Sequence, residues 1–258
     1  MTSFLQKFTR NQGSNTKAME SKAKAQFRDS DDPRILYKLS DRARNITLRV
    51  NISDREILVT VPGEGSIAKA KRFVAKQADW IEVQLESLPP PQPFTPGGSV
   101  LMRGELYQLV KPEGRGRPRV NHISRVINVP SPDLESFSGR VRRFMIREAR
   151  EELEAASHHY ADIVGKRVRK VSIRDTSSRW GSCITRKGEG HISYSWRLIC
   201  APEFVLEYVA AHECAHLVHA DHSKNFWDLC ADIYPEMKKA KKWLRLNGPL
   251  LHAVGAEF

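Results

Sequence analysis

One segment limits the folds open to this chain more than any other. Residues Phe204 to Ala220 follow Pro202, a residue favoured in the first turn of a helix, and carry Val205, Leu206, Val209, Ala210, Ala211, Leu217 and Val218. That density of apolar side chains predicts a largely buried helix. Set into it is His212-Glu213-Cys214-Ala215-His216, a match to the pattern His-Glu-x-x-His. A spacing of four residues puts both imidazoles on one helical face, where two ligands can share one ion. Glu213, displaced by one residue, stays off the line of the ligands yet within reach of a metal-held water, the place of a general base.

Zinc lowers the pKa of a bound water to about 7, after which a carboxylate can take its proton and later deliver it to a departing amine. Peptide hydrolysis is the chemistry this pattern predicts, with Glu213 as the catalytic residue and Zn2+ as the cofactor. A catalytic zinc takes three protein ligands and a water, so a third ligand is required. His219 lies about 10 Å along the helix axis from His212 at roughly 1.5 Å per residue, which disfavours convergence. His222 follows Ala220-Asp221, where the chain can leave the helix and turn back, and Ser223 can cap a next helix through Lys224 to Asp232. The predicted metal ligands are therefore His212, His216 and His222. Metzincins share this histidine spacing but have glycine where this chain has His219. Glu236 is a second-ranked third ligand, and Asp221, Asp228 and Asp232 are candidates to orient a ligand histidine, although such residues are more often solvated.

Upstream, residues 1–34 are polar, lack sustained apolar periodicity and read as a mobile tail. Ile46 to Val50 and Glu56 to Val61 read as a hairpin joined by Asn51, Ser53 and Asp54. From Ile67 to Leu88 the apolar positions recur at helical spacing until Pro89 to Pro91 end the pattern. Pro89 to Gly98 reads as a rigid connector, and Val100 to Val110 and Val126 to Val129 as further strands. Residues 134–164 form a long amphipathic helical pattern through Val141, Phe144, Met145, Ala149, Leu153 and Tyr160. The expected class is α+β, with a β-rich part over 35–130 that holds one amphipathic helix and a catalytic core over 131–258.

Composition narrows the setting. With 40% hydrophobic and 28% charged residues, the chain lacks the apolar depletion that marks disorder. The formal charge of +12 can attract nucleic acid, anionic membrane or acidic proteins and selects none of them. Cys183, Cys200, Cys214 and Cys230 contain no Cys-x-x-Cys pair, which argues against a zinc ribbon and for a reducing compartment. No apolar stretch is long enough to span a bilayer, and Met1 to Arg10 lacks the continuous apolar core of a signal peptide. The chain reads as cytoplasmic, with an organellar transit segment as a weaker alternative because the first 18 residues contain no acid.

Two further stretches go beyond the short motif. They are Arg179-Trp180-Gly181-Ser182-Cys183, and Ser195-Trp196-Arg197-Leu198-Ile199 leading through Ala201-Pro202 to Tyr208-Val209 and His212. With Asp221-His222-Ser223 before Phe226-Trp227, they resemble the YgjP-like metallopeptidase family, Asp221 standing where that family usually has asparagine. The resemblance covers approximately residues 35–245. It implies a zincin-like core related to the SprT and WLM groups, with His212, His216 and His222 as ligands and Glu213 as acid/base.

The partner is then a peptide or protein substrate, with no membrane. Nucleic acid is a second reading, motivated by Arg140 to Arg150, Lys166 to Lys170 and the SprT relation, in which a nucleic-acid-associated zincin-like protein acts on DNA-bound proteins or serves as a binding module. The Arg179 to Cys183 stretch either lines a cleft or supports the active helix, with support preferred. His191, Tyr194 and Trp196 are expected on a strand near that helix, where an extended substrate can pair with a sheet edge, or in the core. Tyr208 and His219 are candidates to stabilise an oxyanion, and neither is assigned that role.

Overall fold

The computed structural model describes residues 26–256 apart from 53, 177–178 and 187–188, and the side chain of Arg186 is likewise outside it. The tail predicted for 1–34 falls outside the described residues up to 25. Gln26–Arg28, within that predicted span, form a short strand (β1). The chain divides into two compact units between Leu88 and Pro89, at the start of the proline-rich connector.

The first unit is a four-stranded mixed sheet with two helices. Its strands β1, β2 (Ile35–Leu39), β3 (Thr47–Asn51) and β4 (Glu56–Val61) lie in the order β1-β2-β4-β3. β1 and β3 run antiparallel to their neighbours, and β2 is parallel to β4. The alternation that predicts the β3–β4 hairpin buries Ile57, Val59 and Val61 together with Ile35 and Tyr37. Ala70 and Val74 of α1 (Ile67–Lys76) and Ile81 and Leu85 of α2 (Ala78–Glu86) complete that core. The single helix expected over 67–88 is thus two, broken at Gln77, whose φ of −104° and ψ of 12° leave the helical region.

The second unit begins with another four-stranded sheet. Strands β5 (Ser99–Met102), β6 (Glu105–Val110), β7 (Arg119–Asn121) and β8 (Val126–Asn128) take the order β5-β6-β8-β7. The turn between β5 and β6 places Arg103 and Gly104 at φ 53° and 79°, the left-handed pair of a tight hairpin. Its backbone N–H groups donate to Ile199 O and Cys200 O at 2.7 and 3.1 Å. Any side chain at Gly104 would strike Pro202, at 2.8 Å from its Cγ. The hairpin tip is therefore seated against the residue that opens the predicted metal helix.

Helix α3 (Glu135–Ile163) turns one stripe, from Phe137 through Val141, Phe144, Met145, Ala149, Leu153 and Tyr160, into the core. It packs against a three-stranded sheet of order β10-β11-β9, formed by β9 (Val168–Arg174), β10 (Gly181–Arg186) and β11 (Glu189–Ser195). β11 is central, parallel to β9 and antiparallel to β10, which leaves β10 on an edge. A fully buried 3-10 segment, Trp196–Cys200, leads into α4 (Glu203–Ala215), followed by α5 (Lys224–Ile233) and α6 (Met237–Ala253). The described residues form a mixed α+β structure with three small mixed sheets and six helices. No helix among the described residues is long and apolar enough to cross a membrane.

Candidate metal centre

Helix α4 is buried nearly all round, which follows from its apolar composition and leaves its polar residues in need of partners. It stops at Ala215, earlier than the predicted span, and His216 takes the cap position at φ −66° and ψ −15°. His216 still sits one turn beyond His212, its ring edge-on to that of His212 with centroids 5.0 Å apart. The tight turn that follows donates His219 N–H to Ala215 O at 3.0 Å and reverses the chain toward His222. Asp221 Oδ1 accepts from Ser223 N at 3.2 Å, which fixes the turn just before α5.

The reversal brings the three histidines together. One nitrogen from each of His212, His216 and His222 lies within 4.8 Å of the others. His222 Nε2 is 3.3 Å from His212 Nε2, and two nitrogens on one tetrahedral zinc at about 2.0–2.1 Å are separated by about 3.3 Å. The same 3.3 Å is long for a nitrogen–nitrogen hydrogen bond. Burial, reinforced by His216 and His222, depresses the His212 pKa to about 3, and burial likewise lowers that of His216. Both rings are held neutral, the form that ligates. His216 Nδ1 lies 3.0 Å from the His219 carbonyl and donates to it, leaving Nε2 as the lone-pair nitrogen. The donor set fits a metal ion, and the three histidines can hold one.

Glu213 points to a different neighbour. It is only 5% exposed, and its Oε2 has no hydrogen-bond partner among the described residues. Burial pushes its carboxyl up to about 8 against a weaker opposing pull from Arg179. Its side chain lies against Gly181 of the edge strand, where an added methyl would sit 2.7 Å from Glu213 Cγ and Cδ. Glycine at 181 is what makes room for the carboxylate. The Arg179 to Cys183 stretch thus packs on the helix at Glu213.

An aromatic shell surrounds the histidines. The Phe226 ring stacks on His216 at 4.4 Å, and Trp227 stacks on His222 at 5.4 Å. Lys241 Nζ from α6 covers the far face of Trp227 at 3.8 Å. Trp180, next to Gly181, stacks on His252 at 4.6 Å, so the end of α6 also braces the edge strand. Only the Phe226-Trp227 pair, four and five residues after His222, is marked in the sequence. The Trp180–His252 and Trp227–Lys241 contacts join distant positions and leave no local signal.

Other candidates lie apart from the cluster. Glu236 pairs with Lys239 and Asp228 with Lys224. Cys214 donates its thiol to Ser157 O at 3.3 Å, and burial pushes both Cys183 and Cys214 up to about 12, far from the ligating thiolate. His191 and Tyr194 are on the central strand β11 rather than an edge, and Trp196 belongs to the buried 3-10 segment. Tyr194 is core, with its hydroxyl 2.9 Å from Ser157 Oγ. Tyr208 is also buried, its ring edge-on to His212 at 5.9 Å. In the basic run, Arg142, Arg147 and Arg150 are engaged with acidic partners, and Arg169 pairs with Glu189.

Residues 44–247 match the family described as YgjP-like, metallopeptidase domain, and the chain belongs to that family. No curated protein and no solved structure gives a match.

Proposed function

We propose that this YgjP-like metallopeptidase is a zinc-dependent peptidase with a zincin-like core, in which His212, His216 and His222 hold the ion and Glu213 moves the proton. One arrangement carries the reading: three imidazoles converge within 4.8 Å beside a buried carboxyl group that has an oxygen without a hydrogen-bond partner among the described residues. A zinc ion bound there supplies Lewis acidity and a water of lowered pKa. Glu213, one residue from His212, accepts the proton of the attacking water and passes it to the amine that leaves. Its raised pKa suits both halves of that cycle near neutral pH. The His219 carbonyl holds His216 in orientation, and Phe226 and Trp227 keep two of the rings in place.

The edge strand β10 offers unpaired backbone groups beside Glu213, where an extended peptide can add as a further strand. Four free cysteines fit a reducing, cytoplasmic location. The test is to map new chain termini in a panel of denatured proteins treated with wild type or Glu213→Gln. Loss of a general base lowers the rate by about 100-fold or more while zinc stays bound. Equal cleavage by both forms would show the assignment of Glu213 to be wrong.

A further inference from the structure

The first unit carries a groove that the metal centre does not use. It is open, about 360 Å³ in volume, and is lined without any acidic side chain. Ile46, Pro62 and Phe73 form its apolar part, and Arg44, Ser66 and Lys69 its polar rim. Phe73 keeps 36% of its surface exposed, while the same helix buries Ala70 and Val74.

The helix that forms one wall explains the pattern. Ser66, Lys69, Phe73 and Lys76 follow one another by three, four and three residues, so they share one face of α1, with Arg72 alongside. The helix contains no acid. Lys71, turned elsewhere, pairs with Asp29 at 3.7 Å. Arg44, Lys69, Arg72 and Lys76 make no ion pair among the described residues, and Ser66 does not cap the helix it precedes. The second unit differs, because much of its arginine run on α3 is tied to acidic neighbours.

We propose that this groove binds single-stranded nucleic acid, with backbone phosphates on Arg44 and Lys69 and a base stacked on Phe73. Uncompensated cations attract a polyanion. An exposed ring set among them adds a flat surface for an unpaired base, which a duplex does not present. Three apolar side chains, of which only Phe73 is an exposed large one, make a patch too small to suit a lipid surface.

The experiment uses the full chain and a fluorescent oligothymidine of about 20 nucleotides, followed by anisotropy between about 50 and 200 mM salt. Binding should weaken steeply with salt. Arg44→Glu and Lys69→Glu should each weaken it about tenfold or more, and a neutral Lys69→Gln should lower the log–log salt slope by about 0.7. Phe73→Ala should weaken it about fivefold to a hundredfold at unchanged slope. Far-UV circular dichroism confirms that these surface variants keep the fold. Absence of binding at low salt overturns the proposal, as do variants that bind like wild type. Equal affinity for duplex DNA, heparin or polyglutamate, with no effect of Phe73→Ala, overturns it in favour of a general polyanion surface.

Discussion

The sheets formed by β1–β4 and β5–β8 take the same course and serve different ends. Each orders its strands first, second, fourth, third, with an antiparallel pair at either side of a parallel one. The β3–β4 and β7–β8 hairpins run from an asparagine, Asn51 or Asn121, to an arginine in the left-handed region, Arg55 at φ 52° or Arg125 at φ 53°. Ile57 and Val59 in one, Ile127 and Val129 in the other, sit at equal distances beyond that asparagine, and all four are fully buried. The difference comes next. The first sheet is followed by helices of 10 and 9 residues that close a small core of their own. The second is followed by a 29-residue helix, about 44 Å long at 1.5 Å per residue. That length lets one helix line the core from the sheet to β9 and α4. The three-histidine cluster lies on and just after α4, which packs on that long helix and opens at Pro202 against the β5–β6 turn, rather than on the sheet itself.

The strongest way to break this division is to cut matching holes in the two sheets. Ile127→Ala and Ile57→Ala should each cost about 2–5 kcal/mol, read as lowered denaturant midpoints. Only Ile127 belongs to the core that contains α4, so only its loss should weaken zinc retention. If both variants release zinc equally, the two cores are not energetically separate.

Glu213 gives the second unit a pH dependence opposite in sign to that from Asp29 and Asp32 in the first, whose carboxyls are lowered by hydrogen bonds. In metal-free protein its carboxyl keeps its proton up to about 8, against an ordinary value of 4.5. The folded chain then binds more protons than the unfolded chain between those values. The stabilising contribution is full below about pH 4.5 and is lost as pH rises through about 8. His212, His216 and His252, buried in the neutral form, act in the opposite sense below about pH 6.5, so metal-free wild type should lose thermal stability between about pH 6.5 and 8, and Glu213→Gln should flatten that loss. A slope unchanged by the substitution would place its origin elsewhere.

Gly181→Ala should act on chemistry more than on the fold. The added methyl displaces the Glu213 side chain, and a misplacement of about 1 Å costs roughly 100-fold in rate. Zinc binding should persist, because the three atoms nearest that methyl all belong to Glu213 and none to a histidine. Full activity in the variant would mean that Glu213 has room to spare. The smallest effect tests the likeness of the hairpins: Arg55→Gly and Arg125→Gly each relieve a left-handed residue. Each should change stability by about 1 kcal/mol or less, in the stabilising direction once lost side-chain contacts are allowed for. Opposite signs from calorimetry would show that the two turns are not equivalent.

These contrasts also mark what the sequence could reveal. The β3–β4 hairpin and α3 are legible because each has a sustained period of two or 3.6, and the His212–Glu213–His216 helix because a dense apolar run follows Pro202. β1 and β7 are three residues each, too short for a period, and are held by pairing with neighbours. The break at Gln77 has no proline or glycine to announce it. His222 was legible as a ligand candidate because Asp221 marks a turn. The packing of Gly181 on Glu213, and of His252 on Trp180, joins strands and helices far apart in the chain, and only the folded arrangement pairs them.

The central claim is that the reversal after α4 builds one metal site from His212, His216 and His222. Zinc content of the purified full chain, measured by mass spectrometry after dialysis against limiting zinc, tests it most directly. The expected result is about one ion per chain, lost to a large degree in His212→Ala, His216→Ala and His222→Ala alike. Wild type without zinc, or three variants that all retain it in full, would contradict the claim.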